Sequence, residues 1–274
     1  MGRAAHKSLV VLVAVAAVGC SSLLPTAAPT LQPSLRLHTT DVAAPLVRRL
    51  TVSYNQSGAD IAFDTQISNH ATLLRRILDG EINYFVTTEL PILADLPIWA
   101  MPIAQVGIVI AVPVSNPITN VTLADVRALY LGSITRWDEL GGPDEAVTLI
   151  SREAGADIRT EFERLVMGNR RTSPNALLLS SSHAIVTTLR TTAGSVAYLP
   201  LTEAAPGLRL LTVEGIPPTL EMIQNNRYPL RSTVYFVGLE EPTGLLRQFI
   251  EWAQSQAGQA SLGGLAAPII EPLN

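Results

Sequence analysis

The 274-residue chain has a single cysteine, Cys20, so no disulfide can form within it. Charge is also scarce: Asp, Glu, Lys and Arg make up 15 % of the residues, and the formal net charge is −4. With no basic excess, nucleic acid is not an expected partner. The four histidines have no metal-ligand spacing, and with one cysteine they offer no metal site. His70 near Ser68 and His183 beside Ser182 are only sequence neighbours, and no third group orients either of them. No catalytic residue, enzyme activity or cofactor is therefore expected. Aromatic residues make up only 5 %, and the three tryptophans read as core. What the chain does have is aliphatic bulk. A hydrophobic content of 47 % suits a compact body of one large or two modest domains. No internal repeat or low-complexity tract breaks it.

Long apolar runs are missing too. The run from Leu9 to Val18, preceded by Arg3 and Lys7, is too short to span a bilayer but suits a signal-peptide core. It ends Ala17-Val18-Gly19-Cys20, small residues directly before a cysteine, which resembles a bacterial lipoprotein cleavage site. Residues 1–19 are accordingly expected to be a signal peptide, with Cys20 lipidated at the outer face of the cell membrane. Residues 20–33, rich in Ser, Pro, Thr and Ala, then serve as a spacer. Ordinary signal cleavage beside an incidental cysteine is the alternative.

From Ser34 the pattern alternates strand and helix. Ser34 to Thr40 reads as a strand, with Thr39, Thr40 and Asp41 able to cap a helix from about Val42 to Tyr54, and Pro45 in its first turn. A second strand spans Ile61 to Ile67. Ser68 and Asn69 then cap a helix over Ala71 to Leu78, ended by Gly80, and a third strand from Ile82 to Val86 stops at Thr87-Thr88. This βαβαβ rhythm implies a parallel sheet covered on both faces, which binds ligands at the carboxyl ends of its strands. Hydroxyl clusters stand at all three of those ends. Val106 to Val112 is a further apolar strand, and Thr122 and Asp125 have capping-box spacing ahead of a helix closed by Gly132. Trp137 packs a turn. Ser180 to His183 leads into a helix ending near Thr192, followed by a buried strand from Ser195 to Leu201; Arg227 to Val237 is read as a strand, and a C-terminal helix carries Leu245, Leu246, Phe249, Ile250 and Trp252.

The stretch Val147 to Val166 has the most chemistry. It reads as a buried strand, a turn with Arg152 and Gly155, and a helix whose apolar face is Ile158, Phe162, Leu165 and Val166. The unpaired N–H groups at that helix start, its dipole and Arg152 together make an anion site.

Several of these segments, in order, resemble the periplasmic phosphate-binding proteins of ABC transporters, within the type 2 periplasmic-binding-protein superfamily. They are Leu123 to Leu140, Ser151 to Phe162, Ser195 to Leu201 and Asn226 to Val237, supported by Gly80 to Asn83 and Thr87 to Pro91. The resemblance implies an α/β fold of two lobes. Each lobe is a mainly parallel sheet flanked by helices, and two crossover strands join them. Lobe 1 would be residues 34–112 plus 227–274, and lobe 2 residues 113–226. It also implies a small anion, phosphate above all, held between lobes by hydroxyls and N–H groups near Thr39, Thr40, Ser68, Asn69, Thr87 and Thr88. From lobe 2, Arg152 and the turn Gly155, Ala156, Asp157, Ile158, Arg159 would complete the site. The implied partners are an ABC permease and, through the lipid, the membrane; the protein would act as a monomer.

The chain departs from the family where it matters. The family's usual Gly-Ser-Gly-Thr-Arg is here Gly155-Ala156-Asp157-Ile158-Arg159, so two hydroxyls are gone and a carboxylate has appeared. Asp157 can be simply the N-cap of its helix, contributing about 1 kcal/mol. Facing the cleft unpaired, it would repel an anion about 4 Å away by roughly 4 kcal/mol at an effective dielectric near 20, about a thousandfold in affinity. Two arrangements avoid this: Arg152 or Arg159 neutralises Asp157, or Asp157 accepts a hydrogen bond from a protonated oxyanion such as hydrogen phosphate. The expected function is thus oxyanion capture for an ABC transporter, with a sensor or interaction lipoprotein for another small ligand as the alternative.

Overall fold

The computed structural model describes residues 1–2, 32–93 and 97–269. Residues 3–31, on which the expected signal peptide, the expected lipid site Cys20 and most of the expected spacer fall, lie outside the described residues. By contact, Met1–Leu31 and Gln32–Asn274 are separate units, and the architecture is that of the second.

Five strands form the first half of its sheet. β1 (Ser34–Thr39) runs parallel to β2 (Ala62–Ile67) and β3 (Tyr84–Thr87), with α1 (Ala44–Gln56) and α2 (His70–Leu78) between them in sequence. The fourth strand in the chain, β4 (Trp99–Pro113), is 15 residues long and belongs to both halves. Its residues 99–107 pair with a late strand, which is antiparallel to β3 on its other side; residues 108–111 pair with a strand of the second half. The expectation of a strand beginning only at Val106 is thus corrected. Pro102 sits inside the ladder, where the register slips by one residue: Val234 opposes Ala104 and Tyr235 opposes Pro102.

The second half begins with the two-residue β5 (Asn120–Val121) and α3 (Leu123–Leu131), started by the expected Thr122/Asp125 capping box and ended by left-handed Gly132. Next come β6 (Thr148–Arg152) and α4 (Asp157–Phe162), then a π-helical turn Glu163–Met167 in place of a continued α-helix. β7 (Leu177–Leu179), α5 (Ser182–Thr191), β8 (Ser195–Pro200) and β9 (Leu208–Leu210) follow. Here β6 is parallel to β7 and β8, whereas β8 and β9 pair antiparallel with β4. β10 (Thr212–Val213) pairs with β5, and α6 (Leu220–Gln224) leads back to β11 (Arg231–Gly238), the late strand of the first half. β11 starts four residues after the expected Arg227. α7 (Gly244–Gln254) and α8 (Gln256–Ser261) close the chain onto the first half.

Each half is covered on both faces, because its central strands are apolar on both sides. In the first half, Leu46, Leu50 and Phe249 fill one face, and Leu73, Ile77 and Phe85 the other. In the second, Tyr130, Phe162 and Tyr198 pack on one face and Ile185 and Leu189 on the other. The Phe162 and Tyr198 rings stack with centroids 4.0 Å apart. Trp137 is fully buried and its indole N–H donates to the Gly194 carbonyl at 2.8 Å. This packing fixes the start of α4 opposite the carboxyl ends of β1 and β3.

Candidate anion site

Asp157 is at the centre of the site and is only 2 % exposed. Its Oδ2 accepts from Thr40 Oγ1 at 2.7 Å, Thr88 Oγ1 at 2.9 Å and Thr88 N at 3.0 Å, with Thr87 Oγ1 a further 3.3 Å away. Its Oδ1 accepts from Ile158 N at 2.9 Å. The threonines stand at the carboxyl ends of β1 and β3, and Asp157 starts α4 in the other half. One carboxylate oxygen therefore gathers donors from across the cleft, in the way a bound oxyanion would. Charge-assisted bonds of this kind contribute about 1.5–3 kcal/mol each.

A second carboxylate crosses in the opposite direction. Asp41, from the first half, accepts at Oδ2 from Ser182 Oγ at 2.7 Å, Ser182 N at 3.0 Å and Arg152 Nη1 at 3.0 Å. Arg152 is 3 % exposed. Its other nitrogens donate to Glu153 Oε2 at 3.3 Å and the Ser180 carbonyl at 3.0 Å. Its charge is thus already matched by carboxylates of the chain.

The remaining expected residues divide. Asn69 caps α2 through Ala71 N and donates to Glu153 Oε1 at 2.9 Å, while Ala71 N also reaches the Gly155 carbonyl at 3.1 Å. Gly155 has φ 83°, and a Cβ there would lie 2.7 Å from the Ala71 methyl and 2.9 Å from Asn69 Oδ1; only glycine allows the turn to approach α2 this closely. Thr39 is buried but its hydroxyl turns to the Thr40 carbonyl. Ser68 meets β1 through its backbone, N–H to the Thr39 carbonyl at 3.0 Å.

Several expectations are corrected. Ala156 and Ile158 point into the apolar core rather than to a ligand. Arg159 pairs with Glu163 at 3.0 Å and donates to the Arg152 carbonyl, so neither arginine neutralises Asp157. Asp157 is not the N-cap; Ala156 is, and it makes no side-chain capping bond. The α1 N-cap is Ala43 rather than Thr39, Thr40 or Asp41, because those side chains are drawn into the cleft or its walls. Asp41, Ser182 and Glu89 were missed as site residues. The only signal for Asp41 was a carboxylate at the same strand end as the two threonines.

The electrostatics beside Asp157 are unusual. Burial pushes the Glu89 carboxyl up to about 7, helped by Asp157 and Glu161 and opposed by a bond from Thr160. Burial lowers the His70 pKa, against the pull of Asp157. His70 Nδ1 lies 2.9 Å from Thr87 Oγ1, and its Nε2 is 3.6 Å from Glu89 Oε2. Among the described residues, no group of three His, Cys, Asp or Glu could hold a metal ion, and no helix is long and apolar enough to cross a membrane.

The family model described as the PBP superfamily domain matches residues 25–257 of this chain. The chain belongs to that superfamily. Among the PBP proteins it is similar to the phosphate-binding protein PstS of Bacillus subtilis (strain 168), 21 % identical over 235 residues, covering 84 % of this chain and 78 % of the relative. In three dimensions it resembles a putative phosphate ABC transporter substrate-binding protein with bound phosphate from Clostridium perfringens. That likeness has a TM-score of 0.78 at 20 % identity and covers 87 % of this chain and all of that one. An ABC-type phosphate transport receptor from Vibrio cholerae matches with a TM-score of 0.68 at 20 % identity, over 82 % of this chain and 96 % of that one. The fold is accordingly the two-lobed type 2 periplasmic-binding-protein fold, and the named relatives are binding proteins rather than enzymes.

Proposed function

We propose that this PBP protein is a lipid-anchored, extracytoplasmic solute-binding lipoprotein in which Asp157 takes the seat of the oxyanion, so that it serves as a binding or interaction module for a ligand other than free phosphate. The lobes are residues 34–112 with 227–274, and 113–226; the protein is a monomer, and Cys20 carries the lipid. The single supporting observation is Asp157 Oδ2, which takes up the donors of Thr40 and Thr88 that a phosphate would need. A phosphate entering beside it would meet a buried carboxylate and find few free donors.

A second reading, capture of phosphate for an ABC permease, is favoured by the names of the relatives. It requires phosphate to displace Asp157. Calorimetry separates the two. Protein lacking residues 1–20 gives no heat with millimolar phosphate on the first reading, and Asp157→Gly with Ala156→Ser gains micromolar binding. Micromolar binding by the unaltered chain would establish the second reading instead.

A further inference from the structure

Glu89 stands just past β3, at the edge of the Asp157 cluster, and its carboxyl faces a buried histidine. His70, at the start of α2, is 3 % exposed, and its Nε2 has no hydrogen-bond partner. Glu89 Oε2 lies 3.6 Å from that nitrogen, just too far for a bond, and a small turn of the carboxyl closes the gap. We propose that His70 relays the protonation of Glu89 to the Asp157 contact, so that acid holds the two halves of the protein together and alkali loosens them. The relay works in the same way whichever small solute the protein takes.

Three contacts stand in series: Glu89 Oε2 to His70 Nε2, His70 Nδ1 to Thr87 Oγ1 at 2.9 Å, and Thr87 Oγ1 to Asp157 Oδ2 at 3.3 Å. The Thr87 oxygen also accepts from Glu89 N at 3.1 Å. Its single proton goes either to Asp157 or to His70. With Glu89 protonated, the carboxyl O–H donates to a bare Nε2. Nδ1–H then donates to Thr87, and Thr87 donates to Asp157 across the cleft. With Glu89 ionised, Nε2 carries a proton to meet the carboxylate. Nδ1 is then bare and takes the Thr87 hydroxyl, and Asp157 loses a donor. The first state has hydrogens on Glu89, Nδ1 and Oγ1, the second on Nε2 and Oγ1, so one proton is released to solvent.

Charge acts in the same direction. The titratable groups facing Glu89 are His70 from α2 and Asp157 and Glu161 from α4, with the Thr160 hydroxyl beside them. Thr87 and Thr88, at the end of β3, are uncharged. Glu161 is paired with Arg164 at 2.8 Å, which leaves Asp157 as the main like charge. An ionised Glu89 thus sets a carboxylate of the first half against one from α4 of the second. Burial pushes the Glu89 carboxyl up to about 7 and lowers the His70 pKa, so in the closed form the proton stays on Glu89. When the halves part, Glu89 meets water and returns towards its ordinary value of 4.5. The closed form therefore binds the proton more tightly. Its advantage is complete below about 4.5 and is lost as pH rises through about 7.

The test is hydrogen exchange at the Thr88 amide, which donates across the cleft to Asp157 Oδ2 at 3.0 Å. It is followed by NMR in phosphate-free buffer, on protein lacking residues 1–20, which lie outside the unit Gln32–Asn274. The Thr88 protection factor falls at least tenfold between pH 5.5 and 8, while the amides of Leu50 in α1 and Ala197 in β8 stay at least a hundredfold better protected. Over the same range the nitrogen signal of His70 Nε2 moves from the bare to the protonated position. Glu89→Gln, whose side-chain amide donates to Nε2 at every pH, keeps Nε2 bare and holds Thr88 protection within about threefold. A His70 signal that does not move in the parent chain overturns the relay, whether or not the variant folds. So does a Thr88 amide indifferent to pH, or a full fall that persists in Glu89→Gln. Thr88 as well protected as Leu50 and Ala197 would mean that the halves part only by unfolding, and overturns it too.

Discussion

Replacing Asp157 with alanine removes the acceptor shared by the two halves of the protein. Three donors of the first half lose their partner outright: Thr40 Oγ1, Thr88 Oγ1 and Thr88 N. Thr87 does not, since its hydroxyl can turn to His70 Nδ1 at 2.9 Å. A buried donor left unmet costs about 1–3 kcal/mol. Hydroxyls can rotate and water can enter the space of the lost carboxyl, so the low end applies, and the sum is about 3 kcal/mol. For a domain of this size that lowers the melting temperature by roughly 6–12 °C. Urea titration in phosphate-free buffer measures it. Addition of 10 mM phosphate then restores part of the loss in the variant, because the freed groups donate to an oxyanion; a ligand at 1,000 times its Kd stabilises by about 4 kcal/mol. The parent chain shows no comparable gain. A variant melting within about 1 °C of the parent would show that the carboxylate does not hold the cleft together. A phosphate effect of equal size in both proteins would refute its role as a resident anion.

Two further outcomes follow from the same cluster. Glu89 has its folded pKa raised to about 7 by burial, so the folded state binds its proton more tightly than the unfolded state does. Its contribution is fully present below the ordinary carboxyl pKa and is lost as pH rises through about 7. After discounting for its partial exposure, about 1–2 kcal/mol should disappear between pH 5 and 8; denaturant midpoints across that range should fall for the parent and stay flat for Glu89→Gln. Gly155→Ala places a methyl 2.7 Å from Ala71 in a left-handed backbone, and should cost about 2 kcal/mol while moving α4 away from α2. Small-angle scattering and thermal melts would register it, and an unchanged melt would mean that the turn does not need this approach.

The alternation of strand and helix was plain in the sequence because hydrophobic spacing is local: β1, α2, α3 and β8 fall where their apolar residues recur. The long β4 was harder to see. Trp99 to Gln105 contains Pro102 and Met101 and has no clean alternation, since its residues are held by β11, which comes more than a hundred positions later. The site shows the same limit. Asp157 stood out at once as a carboxylate in an anion-binding turn, but no spacing rule pairs it with Thr40 or Thr88, 117 and 69 residues away. Helix-capping rules, which concern adjacent residues, assigned it to its own helix. Arg152 was likewise legible as a cation, whereas its partner Asp41 looked like one more residue in a cap.

The placement of β11 has a consequence for how the polypeptide is made. This strand lies between β3 and β4, yet it leaves the ribosome after every other strand. Until it arrives, the first three strands have no bridge to the remainder and β3 offers an open edge to any neighbour. The second half, whose strands lie between residues 108 and 213, suffers no such delay. Maturation should therefore run from the middle of the chain outward, with the last forty-odd residues acting as the bolt that secures the opening segment, an order suited to a chain kept loose until its synthesis is nearly complete.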